Sequence, residues 1–426
     1  MSLRLGRLLQ RVDEALLLAL AAGVTLAAAL PLQLLQPEGI RAAGLMPPLA
    51  LIGLFVVLHL ALLLRGWRAD PIVLPVLLVL MGLSLALQQR LAPALASRQL
   101  TWLLLGAAIV GLACHAPLPW RLLRRYRYTW ASLGLALVGL TLVFGRSPVS
   151  GGPELWLGLG PLVFQPAELL KLLLVIFLAG YLADKQELLV ESSIRLGPLR
   201  LMPLGYVAPL AVVLGACLAL LAVQGDLGAA LLLFCTTLGM LYLASLRAAY
   251  VVGGLAVFAG GSWLLFERLA IVQQRIALWL DPWSDPQGGG YQLIQALMAI
   301  AAGGVTGTGI GLGAPTSIPA VHTDFVYAAL VEELGLAGAA ALVLLYALLV
   351  LRGFRVAILA RTPYAQLLAG GLALSLGVQA LVIIGGVLRL IPLTGITLPF
   401  LSYGGTSIVT SAAAVGLLLR LSAEAA

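Results

Sequence analysis

The chain is a succession of apolar runs separated by short polar segments. Each run has about 20 residues and almost no charge, which is the length that an α-helix needs to cross about 30 Å of hydrocarbon. Twelve segments fit this description: 14–35, 46–64, 72–89, 99–117, 128–145, 164–183, 203–223, 227–246, 249–266, 325–351, 364–388 and 400–420. The pattern therefore predicts an all-α, polytopic transmembrane helix bundle of about twelve spans.

Composition and charge agree with a membrane protein. Of the 426 residues, 62% are hydrophobic and 10% are charged, whereas soluble domains carry about 25% charged residues. The net charge is +8, but the basic residues punctuate apolar runs instead of forming one water-facing surface, which argues against nucleic acid as a partner. The three cysteines lie in or at the end of apolar runs, so they indicate neither disulfides nor a thiolate metal site.

The arginines predict the orientation of the chain. The first apolar run follows three arginines but is longer than a typical signal sequence, so we interpret it as a retained span. With twelve spans, 17 of the 25 Lys and Arg residues share a side with the N-terminus, 7 lie on the other side and Lys171 lies inside a span. Both termini are therefore expected in the cytoplasm. The chain is predicted to form one membrane domain, with a five-span region over 1–145 and a core over 146–426.

The longest connection, 267–324, is then extracytoplasmic. Its apolar segment 291–302 is too short to span, so it should lie along the interface or re-enter the protein. The glycine-rich stretch 303–313 follows no strand, which argues against a dinucleotide fold. Its backbone could form a nest of N–H groups for a phosphate, or simply allow close packing.

Polar side chains inside spans are costly and therefore informative. Glu168 and Lys171 are spaced i and i+3 and can neutralise each other, either to fix helix packing or to bind substrate. Glu332 and Glu333 lie about two turns after Asp324, so one of them should share its helix face. Carboxylates at that depth indicate a polar cavity or a buried hydrogen bond.

Two aspartates lie at predicted outer helix starts. Asp226 and Asp324 could each cap a helix N-terminus. Asp324 also ends the large loop and lies two residues after His322, which favours a functional role for it. The segment 398–407, with Ser402 and Gly404, interrupts the chain before the last span, where packing and backbone coordination are both consistent with its glycines.

Six ordered motifs suggest a family. They are GPLVFQPAELLKLLLVIFLAGYLAD from 160, QGDLGAALLL from 224, LDPWSDPQGGGYQLIQALMAIAAGG from 280, TGTGIGLG from 306, AVHTDFVYAALVEELGLAG from 320 and LPFLSYGGTSIVTSAAAVGLLL from 398. Together they resemble the SEDS family of bacterial cell-wall polymerases, which includes RodA, FtsW and SpoVE, over residues 145–420.

The resemblance implies a peptidoglycan glycosyltransferase of the cell-shape or division machinery, multi-pass in the bacterial cytoplasmic membrane. Such an enzyme polymerises lipid II, an undecaprenyl-diphosphate-linked disaccharide peptide, at the outer face of the membrane, in contact with membrane lipid. The family works with a class B penicillin-binding protein. The resemblance implies that Asp324 is catalytic. The charge of a diphosphate leaving group adds the expectation of a divalent cation, Mg or Mn, and no organic cofactor is expected. The residues expected to bind substrate or support the site are Glu168, Lys171, Asp226, Arg275, His322, Thr323, Glu332, Glu333, Ser402 and Gly404.

The chain departs from the family pattern in three places. Ala167 replaces the usual serine before Glu168, which leaves the pair with Lys171 intact. Segment 152–156, GPELW, lacks the arginine of the family's Gly-Ala-x-Arg-Trp pattern. Family members commonly have ten spans, so the twelve predicted here imply an extra pair near the N-terminus.

Two roles for Asp324 remain open at the level of sequence. It could accept the proton of an attacking sugar hydroxyl, although a helix N-terminus stabilises the ionised carboxylate and weakens it as a base. It could instead hold a divalent cation against the diphosphate. Three outer cations, Arg268, Arg275 and Arg389, could bind diphosphate or face lipid headgroups.

Two other classes of protein also fit part of the pattern. Buried carboxylates and broken helices occur in transporters, so a flippase for lipid-linked substrates is the main alternative, although we find no inverted repeat between the halves. A non-catalytic scaffold for a partner enzyme is a third hypothesis. An assay for glycan polymer distinguishes the enzyme from both.

Overall fold

The computed structural model describes residues 2–36, 39–40, 42–115, 120–147, 154–159, 162–191, 194–196, 199–201 and 204–425. These residues form helices and two small hairpins. The helices are α1 (Ser2–Leu34), α2 (Ala42–Leu64), α3 (Val73–Leu91), α4 (Pro93–His115), α5 (Trp120–Arg125), α6 (Arg127–Phe144), α7 (Pro166–Glu191), α8 (Leu204–Val223), α9 (Leu227–Ser245), α10 (Ala248–Arg268), α11 (Ala270–Leu280), α12 (Tyr291–Gly303), α13 (Val326–Leu359), α14 (Pro363–Val387) and α15 (Gly405–Ala425).

The hairpins lie in two connections between helices. Strands β1 (Leu157–Leu159) and β2 (Leu162–Phe164) pair antiparallel before α7, and β3 (Ile194–Leu196) and β4 (Leu199–Leu201) pair antiparallel after it. Short 3₁₀ turns, Pro282–Ser284 and Pro315–Ser317, flank α12 in the long loop.

The predicted all-α membrane bundle is confirmed. In the described part of the chain, 11 helices are long and apolar enough to cross a membrane. The twelfth predicted segment, 203–223, corresponds to α8, whose described apolar part is Ala208–Val223. The last span begins five residues later than predicted, at Gly405, because residues 398–404 form a loop and not the first turn of a helix.

The chain divides into two compact units. The first comprises Met1–Ala116, Leu278–Arg355 and Gln379–Ala426, and the second comprises Pro117–Ala277 and Val356–Val378. Both units therefore combine segments from either side of residue 145, and the predicted division at that residue stays a prediction.

Small residues allow close helix contacts within each unit, as in other membrane bundles. In the first unit, a Cβ on Gly82 of α3 would lie 2.3 Å from Thr25 Oγ1 of α1, and a Cβ on Gly416 of α15 would lie 2.7 Å from the Cβ of Ala113. In the second, a Cβ on Gly371 would lie 2.7 Å from the Sδ of Met240. Larger side chains at these glycines would push the helices apart.

Helix α13 is interrupted at Gly335, where φ is +66° and ψ is −168°. A break inside a span removes helical hydrogen bonds, and lipid offers no replacement. The glycine-rich loop supplies the acceptors. The N–H of Leu336 donates to Gly304 O at 2.9 Å, and the N–H of Ala337 donates to Val305 O at 3.2 Å.

The same loop also supplies donors to the interrupted helix. Thr308 N–H donates to Glu332 O at 2.9 Å, and Gly309 N–H donates to Glu333 O at 3.0 Å. The loop lies so close that a Cβ on Gly307 would approach Glu333 O to 2.2 Å. Of the two interpretations of this stretch, the described contacts favour close packing.

The glycine at 307 should be more sensitive to substitution than its neighbour at 304. Both have positive φ, +82° and +53°, but only a Cβ at 307 meets backbone, while the space at 304 is open within 4 Å. Gly304→Ala should cost about 1–3 kcal/mol through the strain of its positive-φ conformation alone, and Gly307→Ala clearly more. Steric-trap unfolding in bicelles measures both variants. Equal losses would show that the loop does not pack tightly on α13.

Candidate functional site

Asp324 lies in a tight turn before α13. Ala320 adopts a left-handed conformation with φ +53°, and its carbonyl accepts the N–H groups of Thr323 at 3.1 Å and Asp324 at 3.2 Å. The helix therefore begins at Val326, one residue later than the predicted segment 325–351. Asp324 is half-buried and lies at the amino end of the helix. We call residues 320–325 the Asp324 turn.

The loop before α15 fixes this turn through backbone carbonyls. The N–H of Tyr403 donates to His322 O at 2.8 Å, and Ser402 Oγ donates to Thr323 O at 2.5 Å. Ser402 Oγ also accepts the N–H of Leu398 at 2.9 Å. The Ser402 hydroxyl thus connects Leu398, at the start of the loop, to Thr323, the residue before Asp324.

Buried polar side chains of α3 and α4 complete the support. Gln88 Nε2 donates to His322 O at 3.0 Å, and Ser84 Oγ donates to Leu401 O at 2.9 Å. Gln99 Nε2 donates to Ser84 Oγ at 2.7 Å. These three residues were not predicted from the sequence, although each is a polar group within an apolar span, and such groups indicate a buried partner or a site.

The segment after α14 passes beside the Asp324 carboxylate. Gly395 has φ +70°, and a Cβ there would lie 3.8 Å from Asp324 Oδ2. Gln379 Nε2 holds the same segment by donating to Thr397 O at 2.7 Å, and Thr397 Oγ1 donates to Ser407 Oγ at 2.7 Å. A Cβ on Gly404 would lie 3.2 Å from Thr397 Cγ2, so Gly404 lets this segment approach.

Glu332 and Glu333 are both buried and bind the glycine-rich loop. Glu332 Oε1 accepts the N–H of Ala314 at 2.8 Å. The Glu333 carboxylate accepts the backbone N–H of Gly311 and lies 3.4 Å from Arg90 Nε. Arg90 Nε and Glu333 Oε1 form no hydrogen bond, so the two side chains interact as an ion pair.

His322 does not supply positive charge to the site at neutral pH. Burial lowers the pKa of its imidazole below the ordinary value of 6.5, because a charged ring is poorly solvated there. The ring lies against Tyr403, with centroids 5.9 Å apart. The ring therefore contributes packing against Tyr403.

The other predicted carboxylates belong to the second unit. Lys171 Nζ lies 2.6 Å from Glu168 Oε2, so the predicted ion pair is present. Asp226 caps α9 through its Oδ1, which accepts the N–H of Ala229 at 3.0 Å. Burial raises the pKa of Asp226, while that N–H and the nearby Lys171 and Arg275 oppose the rise.

The predicted site residues thus fall into two groups, one in each unit. The first unit holds His322, Thr323, Asp324, Glu332, Glu333, Ser402 and Gly404, and the second holds Glu168, Lys171, Asp226 and Arg275. In the 152–156 segment, Gly152 and Pro153 lie outside the described residues.

Arg389 binds backbone in this structure. Its Nε donates to Trp279 O at 2.8 Å and its guanidinium also donates to Leu280 O, so it caps the carboxyl end of α11. Trp279 Nε1 returns a hydrogen bond to Arg389 O at 3.1 Å. Arg389 therefore holds the 279–280 backbone of the long outer loop in place.

The side chains near Asp324 limit the kind of metal site that could form there. Among the described residues, no three or more His, Cys, Asp or Glu side chains are grouped so that they could hold one. A single carboxylate is nevertheless a common protein ligand for Mg²⁺ when substrate phosphates and waters supply the remaining oxygens. Asp324 fits that kind of site and does not fit an all-protein cage.

Comparison with known proteins identifies the family. The family model for FtsW, RodA and SpoVE, described as "Cell cycle protein", matches residues 68–426. The chain is similar to the peptidoglycan glycosyltransferase RodA of Mycobacterium tuberculosis, with 37% identity over 97% of this chain and 90% of that protein. It is also similar to a probable peptidoglycan glycosyltransferase FtsW of a Geobacter species, with 34% identity over 76% of this chain and 86% of that protein.

Solved structures agree with the sequence comparison. One, described as "Structural coordination of polymerization and crosslinking by a peptidoglycan synthase complex", has a TM-score of 0.69 and 30% identity, and covers 84% of this chain and 98% of that chain. The rod shape determining protein RodA of Thermus thermophilus has a TM-score of 0.59 and 28% identity, and covers 83% and 97%. The chain therefore belongs to the FtsW, RodA and SpoVE family.

Removing the Ser402 hydroxyl should loosen the Asp324 turn. Ser402→Ala leaves Thr323 O and Leu398 N–H without this partner, and an unsatisfied buried group costs about 1–3 kcal/mol. The free energy of unfolding, measured by steric trapping, should fall by that amount. Thr237→Val is the matched control, because Thr237 is buried and its Oγ1 donates within its own helix, to Leu233 O at 2.8 Å. A loss no larger than that of the control would contradict the network.

Proposed function

We propose that Asp324 is the carboxylate that acts on the reacting groups when this chain polymerises lipid II. The chain is a peptidoglycan glycosyltransferase, and its substrate is a disaccharide peptide carried on undecaprenyl diphosphate. The observation that carries the role of Asp324 is its position: a half-buried carboxylate in a turn whose neighbouring carbonyls are held by Gln88 and Ser402.

The reaction needs two kinds of assistance. A sugar hydroxyl attacks the anomeric carbon of the donor, and its proton must be accepted. The bond from that carbon to the lipid diphosphate breaks, and negative charge grows on the leaving group. Asp324 is positioned to accept the proton in the extracytoplasmic half of the membrane, if the termini are cytoplasmic as the positive-inside rule indicates.

The neighbouring carboxylates support this choice. Glu332 and Glu333 accept N–H groups of Ala314 and Gly311, so each carboxylate holds the glycine-rich loop. Asp324 is the half-buried member of the three and lies closest in sequence to the outer loop.

Two outer arginines of the first unit have structural partners. Arg90 donates to Gly313 O at 2.8 Å and pairs with Glu333, and Arg389 binds the end of α11. Both guanidinium groups are therefore engaged within the protein. A divalent cation held by Asp324 would supply charge that neutralises the diphosphate leaving group.

Asp324→Asn should abolish polymer formation while leaving folding intact, because the amide keeps the shape but accepts no proton and lacks the negative charge that attracts a divalent cation. Loss of a catalytic acid or base costs about 10²–10⁴-fold. The measurement is glycan length and yield from labelled lipid II with purified protein in proteoliposomes. Glu154→Gln removes an exposed outer carboxylate and should leave the rate within about twofold of wild type.

Retained polymerisation in the Asp324→Asn protein would end the assignment. A wild-type protein that translocates lipid II and makes no polymer would identify a flippase instead.

Polymerisation should require a divalent cation. Chelation with EDTA should stop the wild-type reaction, and Mg²⁺ or Mn²⁺ should restore it, because a diphosphate leaving group needs compensating charge. Calcium, with its longer ligand distances, serves as the comparison ion. An unchanged rate in EDTA would leave proton acceptance as the sole role of Asp324.

We also infer a transpeptidase partner of the class B penicillin-binding protein type. The support is the similar chain solved in a synthase complex for polymerization and crosslinking. Adding such a partner to the purified protein should raise the rate of polymer synthesis. Full activity of the isolated protein, unchanged by the partner, would contradict this inference.

A further inference from the structure

Helix α1 lies outside the family core but is joined closely to it. The family model begins at residue 68, after α1 and α2 have ended. Within the first unit, Glu14 Oε1 of α1 lies 3.0 Å from His59 Nδ1 of α2, and both side chains are buried. Thr25 of α1 lies directly on Gly82 of α3. Helices α1 and α2 therefore pack against each other and against α3, in the unit that carries Asp324.

The outer end of α1 contacts the glycine-rich loop. A Cβ on Gly311 would lie 2.6 Å from Leu35 Cδ1 and 3.1 Å from Leu32 Cδ2, so the loop backbone lies against these two leucines. Ile310 packs into the same apolar cluster, with Ala28 and Leu32. Gly311 has φ +81°, a conformation that glycine adopts without strain.

Gly311 also contacts the buried carboxylate of α13. Its N–H donates to Glu333, and Arg90 connects Glu333 to Gly313 O. A cavity of about 20 Å³ lies where these elements meet, and it is lined by Ala28, Leu32, Leu87, Arg90, Ile310 and Glu333 among others. Helix α1, α3, the loop and α13 thus share one packed junction.

The junction is two turns from Asp324. Glu333 lies in the short helical piece of α13 that ends at Gly335 and begins at Val326, directly after the Asp324 turn. A break at Gly335 separates this piece from the rest of α13, so its position depends on the loop contacts and on the Asp324 turn.

We propose that α1 positions Asp324 for catalysis, through contacts of Leu32 and Leu35 with Gly311 and of Gly311 with Glu333. Leu32 and Leu35 of α1, which we call the brace leucines, hold the glycine-rich loop against residues 326–335 of α13. The turnover rate depends on these contacts. The proposal rests on the assignment of Asp324 to the reaction.

The faces of α1 provide a matched control. Leu32 is 8% exposed, whereas Leu16 and Leu20 on the same helix are 65% and 66% exposed and face lipid in the isolated chain. Truncation of the brace leucines removes contacts with the loop, while truncation of Leu16 and Leu20 removes the same number of atoms from the lipid-facing surface.

The experiment compares Leu32→Ala/Leu35→Ala with Leu16→Ala/Leu20→Ala in full-length protein, in proteoliposomes with labelled lipid II. We expect kcat to fall about 5- to 10-fold in the brace variant with KM unchanged, because small displacements of a reacting group lower the rate of the chemical step. The control variant should match wild type. Leu32→Met/Leu35→Met, which restores apolar volume, should recover most of the loss.

The remaining outcomes are also decisive. The proposal would be overturned if the brace and control variants had equal kcat, or if the brace variant raised KM and left kcat unchanged. If the double variant folds poorly, Leu35→Ala alone replaces it, since Leu35 is 51% exposed, and it should still lower kcat. An active Asp324→Asn protein in the same assay would refute the role of Asp324 and with it the proposal, whereas an inactive Asp324→Asn protein with a fully active brace variant would refute the brace alone.

Discussion

The need to satisfy every backbone polar group inside the membrane governs the first unit of this structure. Helix α13 breaks at Gly335, and lipid cannot supply the missing hydrogen bonds. The glycine-rich loop exchanges both donors and acceptors with the broken helix, at Thr308 and Gly309 on one side and Gly304 and Val305 on the other. Without that exchange, two carbonyls before the break, of Glu332 and Glu333, and two N–H groups after it, of Leu336 and Ala337, would be unpaired in hydrocarbon.

The Asp324 turn follows the same principle at smaller scale. Its carbonyls accept from Gln88 and Ser402, so side chains and not helix geometry hold it. The left-handed conformations of Ala320 and Phe400, with φ +53° and +64°, are costly for residues with a Cβ. Such conformations persist only where surrounding contacts determine them, and both occur in segments that form this site.

Much of the fold and part of the site could be predicted from the sequence. Hydropathy identifies the spans because each must cover the hydrocarbon thickness, and local spacing identifies the Glu168–Lys171 pair and the Asp226 cap. The start of α13 was misplaced by one residue, because the turn closed on Ala320 has no simple sequence signature.

Contacts between segments far apart in the chain could not be predicted from the sequence. Gln88 meets His322, and Arg90 meets Glu333, across more than two hundred residues, and a single sequence carries no record of which buried polar groups pair. The interruption at Gly335 was missed for a related reason: its partner loop lies about thirty residues earlier, so hydropathy reports one continuous apolar run. The motif resemblance, in contrast, identified the family that the comparisons confirm.

The most direct test of the account is a cryo-electron microscopy structure of the full-length protein in a lipid nanodisc with lipid II bound. We predict that the sugar–diphosphate linkage lies within reach of the Asp324 carboxylate, with the turn still held by Gln88 and Ser402. Substrate bound elsewhere, with Asp324 sealed against packed apolar side chains or facing the cytoplasm, would contradict it.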